Sequence, residues 1–304
     1  MSSEGTIDAD AYTAPFMLTK SIHRDVYPVI DPARNPGVRA DGKVVVVNGA
    51  TGGLGFAVAR SFLTAGAKGV ALVGRNLEKL RLAADELGAG AKVLPITANS
   101  IVQDEVDSIF TQTREHFGRV DFLVNAAGTM SVGPIGTLSS SDWWQNFEVN
   151  VHGVYNMCHG FIKETNGQGT IINLVSLGAS FLMPGMSGYS ASQLATIKLG
   201  EFLDLEQPKL RVFSVHPGMV EAENGRGMVV EPLLPFSKDK AGLTGALTVY
   251  LTTDKADFLR GGYLHANWDV EELEAHKDEI AEKKLVKLGF INGNMQPGGY
   301  PWSS

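Results

Sequence analysis

The sequence predicts a single doubly wound α/β domain built on a parallel sheet. Short β-branched runs recur from residue 43 to about 269, each followed by a stretch with helical periodicity, the alternation that makes βαβ units. The first run, KVVVVN, is continuously apolar rather than alternating, as a strand buried on both faces is. A glycine cluster, Gly49, Gly52, Gly53 and Gly55, separates that run from the first helix. In this context a chain turns tightly against a pyrophosphate at a helix N-terminus.

Composition narrows the possibilities. The chain has 304 residues, 44% hydrophobic and 19% charged, a globular balance with length for a large core. A net charge of −7 argues against a nucleic-acid surface. No run approaches the roughly 18 apolar residues a membrane helix needs, and MSSEGTIDADAYTAP lacks the regions of a secretory signal. The single Cys158 excludes an intrachain disulfide and a Cys-rich metal site; its expected role is core packing. The seven histidines show no metal-ligand spacing. The expectation is a soluble, cytosolic protein with no metal and no nucleic-acid or membrane partner.

Taken in order, residues 1–40 form an extension that Pro15, Pro28, Pro32 and Pro36 keep from regular structure. Phe16, Ile22, Tyr27, Val29 and Ile30 are apolar enough that it should lie against the body. The first strand is 43–48, and a helix spans Phe56 to Ala65. The second strand, 69–73, ends in Gly74-Arg75-Asn76, with Asn76 placed to cap a helix over 77–87. An acidic residue there would bind the ribose 2′-hydroxyl of NAD, and none is present. Arg75 offers a planar cation for the 2′-phosphate of NADP instead, or is a solvated side chain at a helix start. A third strand spans 92–97, a helix 103–116 and a fourth strand 120–124. A long helix is expected over 143–164 with Asn150 inside it, where Asn is a poor helix former. The fifth strand, 170–175, places Ser176 at its C-terminal end, where open parallel sheets bind ligands. Tyr189 opens a helix over 190–205, and 211–215 is the sixth strand. The stretch from Glu221 to about Asp239 carries Met228, Val229, Val230, Leu233, Leu234 and Phe236, either a lid over an apolar substrate or a core loop. A helix over 241–251 and a last strand within 261–269 follow. Asp269 and Glu272 then form a reciprocal cap on a C-terminal helix, and residues from 286 are a tail.

Several of these residues carry a resemblance. Ser176, Tyr189 thirteen residues later and the glycine spacing Gly49-x-x-x-Gly53-Leu54-Gly55 resemble the short-chain dehydrogenase/reductase family over residues 43–269. The fold that this implies is Rossmann-like. The resemblance implies that Tyr189 is the general acid/base, that Ser176 holds the substrate oxygen and that Asn150 supports a proton relay. It also assigns a dinucleotide to Gly49, Gly53, Leu54, Gly55, Arg75, Asn76, Asn99, Asn125, Gly128, Tyr189, Gln193, Pro217, Gly218 and Val220. Asn99 stands where the family often has an adenine-contacting Asp, or simply in a turn. His216, before Pro217-Gly218, is catalytic or merely tolerated there. The segment MLTKSIHRDVYPVIDP resembles the leader of filamentous-fungal members, which implies secondary metabolism. The family also pairs such chains into homodimers or homotetramers through the helices beginning near Trp143 and Tyr189, whose apolar positions Phe161, Leu199, Phe202 and Leu203 serve either that interface or the internal core.

One position departs. The family's Tyr-x-x-x-Lys is here Tyr189-Ser-Ala-Ser-Gln193. A cation beside a tyrosine stabilises the phenolate. If it normally supplies about 2–3 pKa units, its loss costs roughly 3–4 kcal/mol, or about 10²–10³-fold in rate. Ala222 likewise stands where the family has a Thr. Three readings follow: an NADP(H)-dependent carbonyl reductase or alcohol dehydrogenase for an apolar small molecule, a scaffold turned to redox-neutral chemistry, or a non-catalytic binding subunit.

Overall fold

Seven parallel strands form one sheet in the computed structural model, which describes residues 8–222, 226 and 231–289. They are β1 (Val44–Asn48), β2 (Gly69–Gly74), β3 (Val93–Thr97), β4 (Phe122–Asn125), β5 (Gly169–Leu174), β6 (Leu210–His216) and β7 (Gly262–His265). Their order is β3-β2-β1-β4-β5-β6-β7, so the winding reverses between β1 and β4. A crevice opens at the C-terminal strand ends at such a point.

The helices are α1 (Gly53–Thr64), α2 (Leu77–Leu87), α3 (Gln103–Phe117), α4 (Ser140–Phe147), α5 (Gly153–Thr165), α6 (Ser187–Glu206), α7 (Ala241–Tyr250), α8 (Val270–Ala275) and α9 (Lys277–Lys283). All five residues of β1 are buried, which explains its unbroken Val run. Val45 and Val47 point into the core under α1, α2 and α7, while Val46 joins the one under α3, α5 and α6. Cys158 is fully buried in the second core, and burial pushes its thiol up to about 12.

The extension lies along the first face. Tyr27 and Ile30 are buried in that core, and the Tyr27 hydroxyl accepts the Val270 N–H at 3.0 Å. Ile22 stays 38% exposed, its backbone paired with Trp268.

Four local expectations change. The helix expected over 143–164 is two, α4 and α5, joined by a π-helical turn over Glu148–His152. The reason lies in Asn150, whose carbonyl accepts the Thr196 hydroxyl at 2.7 Å instead of serving only the helix ladder; π turns of this kind recur at functional sites. Helix α6 begins at Ser187, so Tyr189 sits within its first turn rather than ahead of it. Helix α1 starts at Gly53, so the last glycines belong to the helix. Asp269 caps α8 through the Glu272 N–H at 2.8 Å, but the reciprocal bond is missing: Glu272 accepts the N–H groups of Lys20 and Ser21 at 2.8 and 2.9 Å. The carboxylate serves to hold the extension. Met228, Val229 and Val230 lie outside the described residues.

Candidate active site

Three adjoining recesses lie along the C-terminal strand ends. A groove of about 530 Å³ runs past Gly53, Leu54, Gly55, Gly128, Tyr189, Gln193, Pro217, Gly218 and Val220. It continues into a recess of about 240 Å³ beside Gly49, Arg75 and Asn99, and Gly52 and the 126–128 turn border both. On the other side of Tyr189 is a cavity of about 160 Å³ walled by Met130, Phe181, Met183, Met186, Met219 and Leu233. Tyr189, Val175, Pro217, Gly218 and Val220 border both the groove and the cavity.

The groove fits a dinucleotide on its own geometry. Gly49 has φ +85°, and a Cβ there would meet the Ala127 backbone nitrogen at 2.5 Å, so the first strand-to-helix turn passes against the 126–128 turn only with glycine. Gly218 has φ +89°, and a Cβ there would collide with the Asp239 carboxylate. A buried amide end of Gln193, Oε1, has no hydrogen-bond partner among the described residues, although Gln193 lines the groove. Buried polar atoms are rarely left unpaired, and a sugar hydroxyl in the groove would satisfy this one.

Asn76 and Asn125 border neither the groove nor its recess. The Asn76 side chain accepts the Lys79 N–H at 2.9 Å and caps α2. Asn125 is buried and donates to Asn173 Oδ1 at 2.9 Å, with Asn48 aligned beside it on β1. These asparagines form a polar row across β1, β4 and β5. Asn99 borders the recess while its Oδ1 faces the Ile101 N–H at 3.4 Å.

Asn150, Tyr189 and Ser176 are fixed by local hydrogen bonds. Asn150 clamps Thr129 with both ends of its amide, accepting from its N–H and donating to its carbonyl at 2.9 Å each. Its Nδ2 also donates to Ser192 Oγ at 3.0 Å, and Ser192 donates to the Tyr189 carbonyl at 2.7 Å. The π turn, the 126–129 loop and the start of α6 are thereby tied together. Ser176 Oγ accepts the Gly178 N–H at 3.0 Å, and its own proton stays available to a second partner. Burial raises the Tyr189 phenol above its ordinary value, and a hydrogen bond from Ser176 pulls it back part of the way. At neutral pH Tyr189 is a protonated donor.

His216 is answered by its contacts. Its Nδ1 accepts the Leu177 N–H at 3.1 Å, and its ring meets His265 edge-on at 4.9 Å. Burial, then the neighbouring His265, holds it well below the ordinary imidazole range, and burial takes His265 down to about 3. His216 is a neutral prop under the Ser176 turn. Both rings are neutral in the fold, whereas the unfolded chain takes up protons below about pH 6.5. Their contribution is therefore complete above that pH and is lost as pH falls. At pH 5.5 His265 alone costs about 1.4 kcal/mol. Urea unfolding at pH 7.5 and 5.5 checks this; His265→Phe should flatten the difference by about that amount.

Comparison with known proteins agrees with this geometry. A profile described as short chain dehydrogenase matches residues 43–229. The chain belongs to the short-chain dehydrogenase/reductase family. A short chain dehydrogenase of Monascus purpureus is 32% identical over 290 residues, covering 92% of this chain and 98% of the relative. One from Emericella variicolor is 31% identical, covering 88% and 94%. Among solved structures, a dehydrogenase/reductase from Sinorhizobium meliloti superposes with a TM-score of 0.67 at 26% identity, covering 76% of this chain and 95% of its own. A 7α-hydroxysteroid dehydrogenase complexed with NADH shares the fold at TM-score 0.69 and 22% identity, covering 76% and 94%. This short-chain dehydrogenase is thus an oxidoreductase by family, with a nicotinamide cofactor and a small-molecule substrate. No helix among its described residues is long and apolar enough to cross a membrane, and none of their His, Cys, Asp and Glu side chains cluster as metal ligands.

Sequence reasoning passed over Met130, Phe181, Met183 and Met186. They are scattered over two loops, and no periodicity or spacing joins them.

Proposed function

We propose that this chain is an NADP(H)-dependent carbonyl reductase for an apolar small molecule. The observation that carries the reading is the place of Tyr189, which borders both the dinucleotide-sized groove and the methionine-lined cavity. Bound NADPH supplies a hydride. Ser176 donates a hydrogen bond to the carbonyl oxygen, and Tyr189 delivers the proton that the new alkoxide takes up, so the reduced carbon gains hydride and the oxygen gains H⁺. Gln193, with its unpartnered Oε1, accepts from a sugar hydroxyl but adds no charge. Reduction suffers less from that than oxidation does, because it starts from the phenol that burial favours. The cavity wall, with four methionines, Phe181 and Leu233, selects an apolar partner. Turnover of deuterated NADPH with a panel of aldehydes and ketones tests the reading: deuterium in the product alcohol supports it.

A second reading is favoured by one feature, the missing cation at Gln193. A neutral Tyr189 also serves as acid or hydrogen-bond donor in a redox-neutral isomerisation, cyclisation or dehydration.

Two further expectations belong here. Arg75 borders the recess, and β2 ends without an acid, which favours a 2′-phosphate. NADPH should bind about 10-fold or more tighter than NADH by calorimetry, and Arg75→Ala should remove most of the difference. Of the residues expected at a subunit interface, Phe161 and Leu203 are buried in the core, Leu199 packs against it and Phe202 is 49% exposed. Trp144, Tyr155 and Leu205 are also exposed on α4, α5 and α6, a face that suits a homodimer or homotetramer. Light scattering at micromolar concentration should show more than the 32.5 kDa monomer.

A further inference from the structure

We propose that the arm formed by residues 8–24 completes the substrate cavity, and that Tyr12 is a specificity-determining wall that favours planar aromatic carbonyl compounds over saturated ones of the same size. The inference rests on the carbonyl-reductase reading for its chemistry, but the geometry is independent of it.

Tyr12 borders the same cavity as Ser176 and Tyr189. Its ring meets Phe236 edge-on, with centroids 4.7 Å apart at 89°, and lies 5.7 Å from Phe181. The Phe16 ring also lies near Phe181, tilted, with centroids 6.1 Å apart. Rings from two separate segments, Tyr12 on the arm and Phe181 in the loop after β5, therefore line the cavity, and Phe236, at the end of the 3₁₀ turn over Glu231–Phe236, backs the Tyr12 ring. The family match begins at residue 43, so the arm lies outside it.

The arm is fixed by charge rather than by apolar contact alone. The Arg24 guanidinium donates to Thr13 Oγ1 at 3.0 Å, Asp10 Oδ1 at 2.5 Å and Asp239 Oδ1 at 2.8 Å. Asp239 is fully buried, and its other oxygen accepts the Met219 N–H at 2.6 Å. Met219 follows Gly218, in the loop that separates groove from cavity. One buried carboxylate thus ties the segment carrying Tyr12 to the wall shared by both sites, and breaking a buried pair of this kind is costly.

Size and wall chemistry suggest the ligand. A cavity of about 160 Å³ matches the roughly 150 Å³ apolar cavity that holds a benzene molecule. Aromatic rings favour offset or edge-to-face neighbours, and thioethers pack well on ring edges. A flat ring gains both kinds of contact here, and a puckered ring of equal size gains neither fully.

Benzaldehyde and cyclohexanecarbaldehyde are the probes. Their dissociation constants are measured by calorimetry on the wild-type chain, Tyr12→Ala, Tyr12→Leu and Tyr12→Phe, with NADPH affinity as the check that the body is folded. Wild type should favour benzaldehyde. Tyr12→Ala should weaken benzaldehyde about 10-fold and bring the ratio of the two constants toward one, while Tyr12→Phe keeps the ratio. Tyr12→Leu retains apolar bulk without a ring and should lose the ratio too, which separates the ring from mere loosening of the arm. Where NADPH is consumed, KM should follow the dissociation constants while kcat changes far less. A ratio unchanged in Tyr12→Ala and Tyr12→Leu overturns the proposal, as does a wild type that binds neither aldehyde or does not discriminate. A ratio that shifts as expected with no NADPH consumption supports the arm's role and sinks the reductase reading; turnover without a shift does the reverse.

Discussion

Tyr189→Phe should lower carbonyl reduction by about 10³-fold while leaving NADPH affinity within a few-fold. Positioned general acids contribute about 10²–10⁴-fold, and no other protonated group occupies both sides of the site as Tyr189 does among the described residues. The ring alone, without its hydroxyl, still packs at the start of α6, so the change isolates the proton. The pH profile should agree. Burial holds the phenol above its ordinary value of 10.0, so reduction by the wild type stays level through neutral pH and falls only on the alkaline side of that value, while oxidation, which needs the phenolate, is slow at pH 7. Stopped-flow NADPH oxidation across pH measures both. A Tyr189→Phe variant that keeps more than a tenth of the rate would remove Tyr189 from the chemistry.

Gln193→Lys should raise turnover by about 10²-fold and move the alkaline limb to lower pH. Gln193 is buried at the groove wall with one amide end unpartnered, so an ammonium placed there has open groove to reach into and stands four residues, one helical turn, from Tyr189. A cation stabilises the phenolate, which brings the acid nearer to working pH, where proton transfer is most efficient. Each unit of pKa corresponds to about 1.4 kcal/mol. If the natural reaction is redox-neutral and uses Tyr189 only as a neutral donor, the substitution should leave the rate flat or impair it, and no deuterium should pass from labelled NADPH. Product formed without cofactor consumption, lost in Tyr189→Phe and not improved by Gln193→Lys, would establish that second reading.

The Gln193 departure shows how the two sources of information divide. Sequence spacing identifies the position and its missing charge, but not what the amide does. Only the packed structure shows that Oε1 is buried without a partner. His216 is similar. Next to Pro217-Gly218 it reads more readily as a bystander than as a catalyst, and the bond from the Leu177 N–H with the His265 ring beside it makes it a neutral support.

The sequence by itself determined what repeats locally. The unbroken Val run at 44–47 dictates a strand buried on both faces, the alternation of β-branched runs with amphipathic segments dictates a parallel wound sheet, and glycines at a strand-to-helix turn mark where a phosphate backbone can approach. These signals are short-range, because backbone propensity and side-chain period act over a few residues. The tertiary structure decided what depends on distant partners. The π turn at Asn150 depends on Thr196, 46 residues later; Glu272 leaves its reciprocal cap for Lys20 and Ser21, about 250 residues away; and Tyr12 meets Phe181 and Phe236. Contacts at such separation are set by which surfaces the wound sheet brings together, and no local pattern in the chain encodes that meeting.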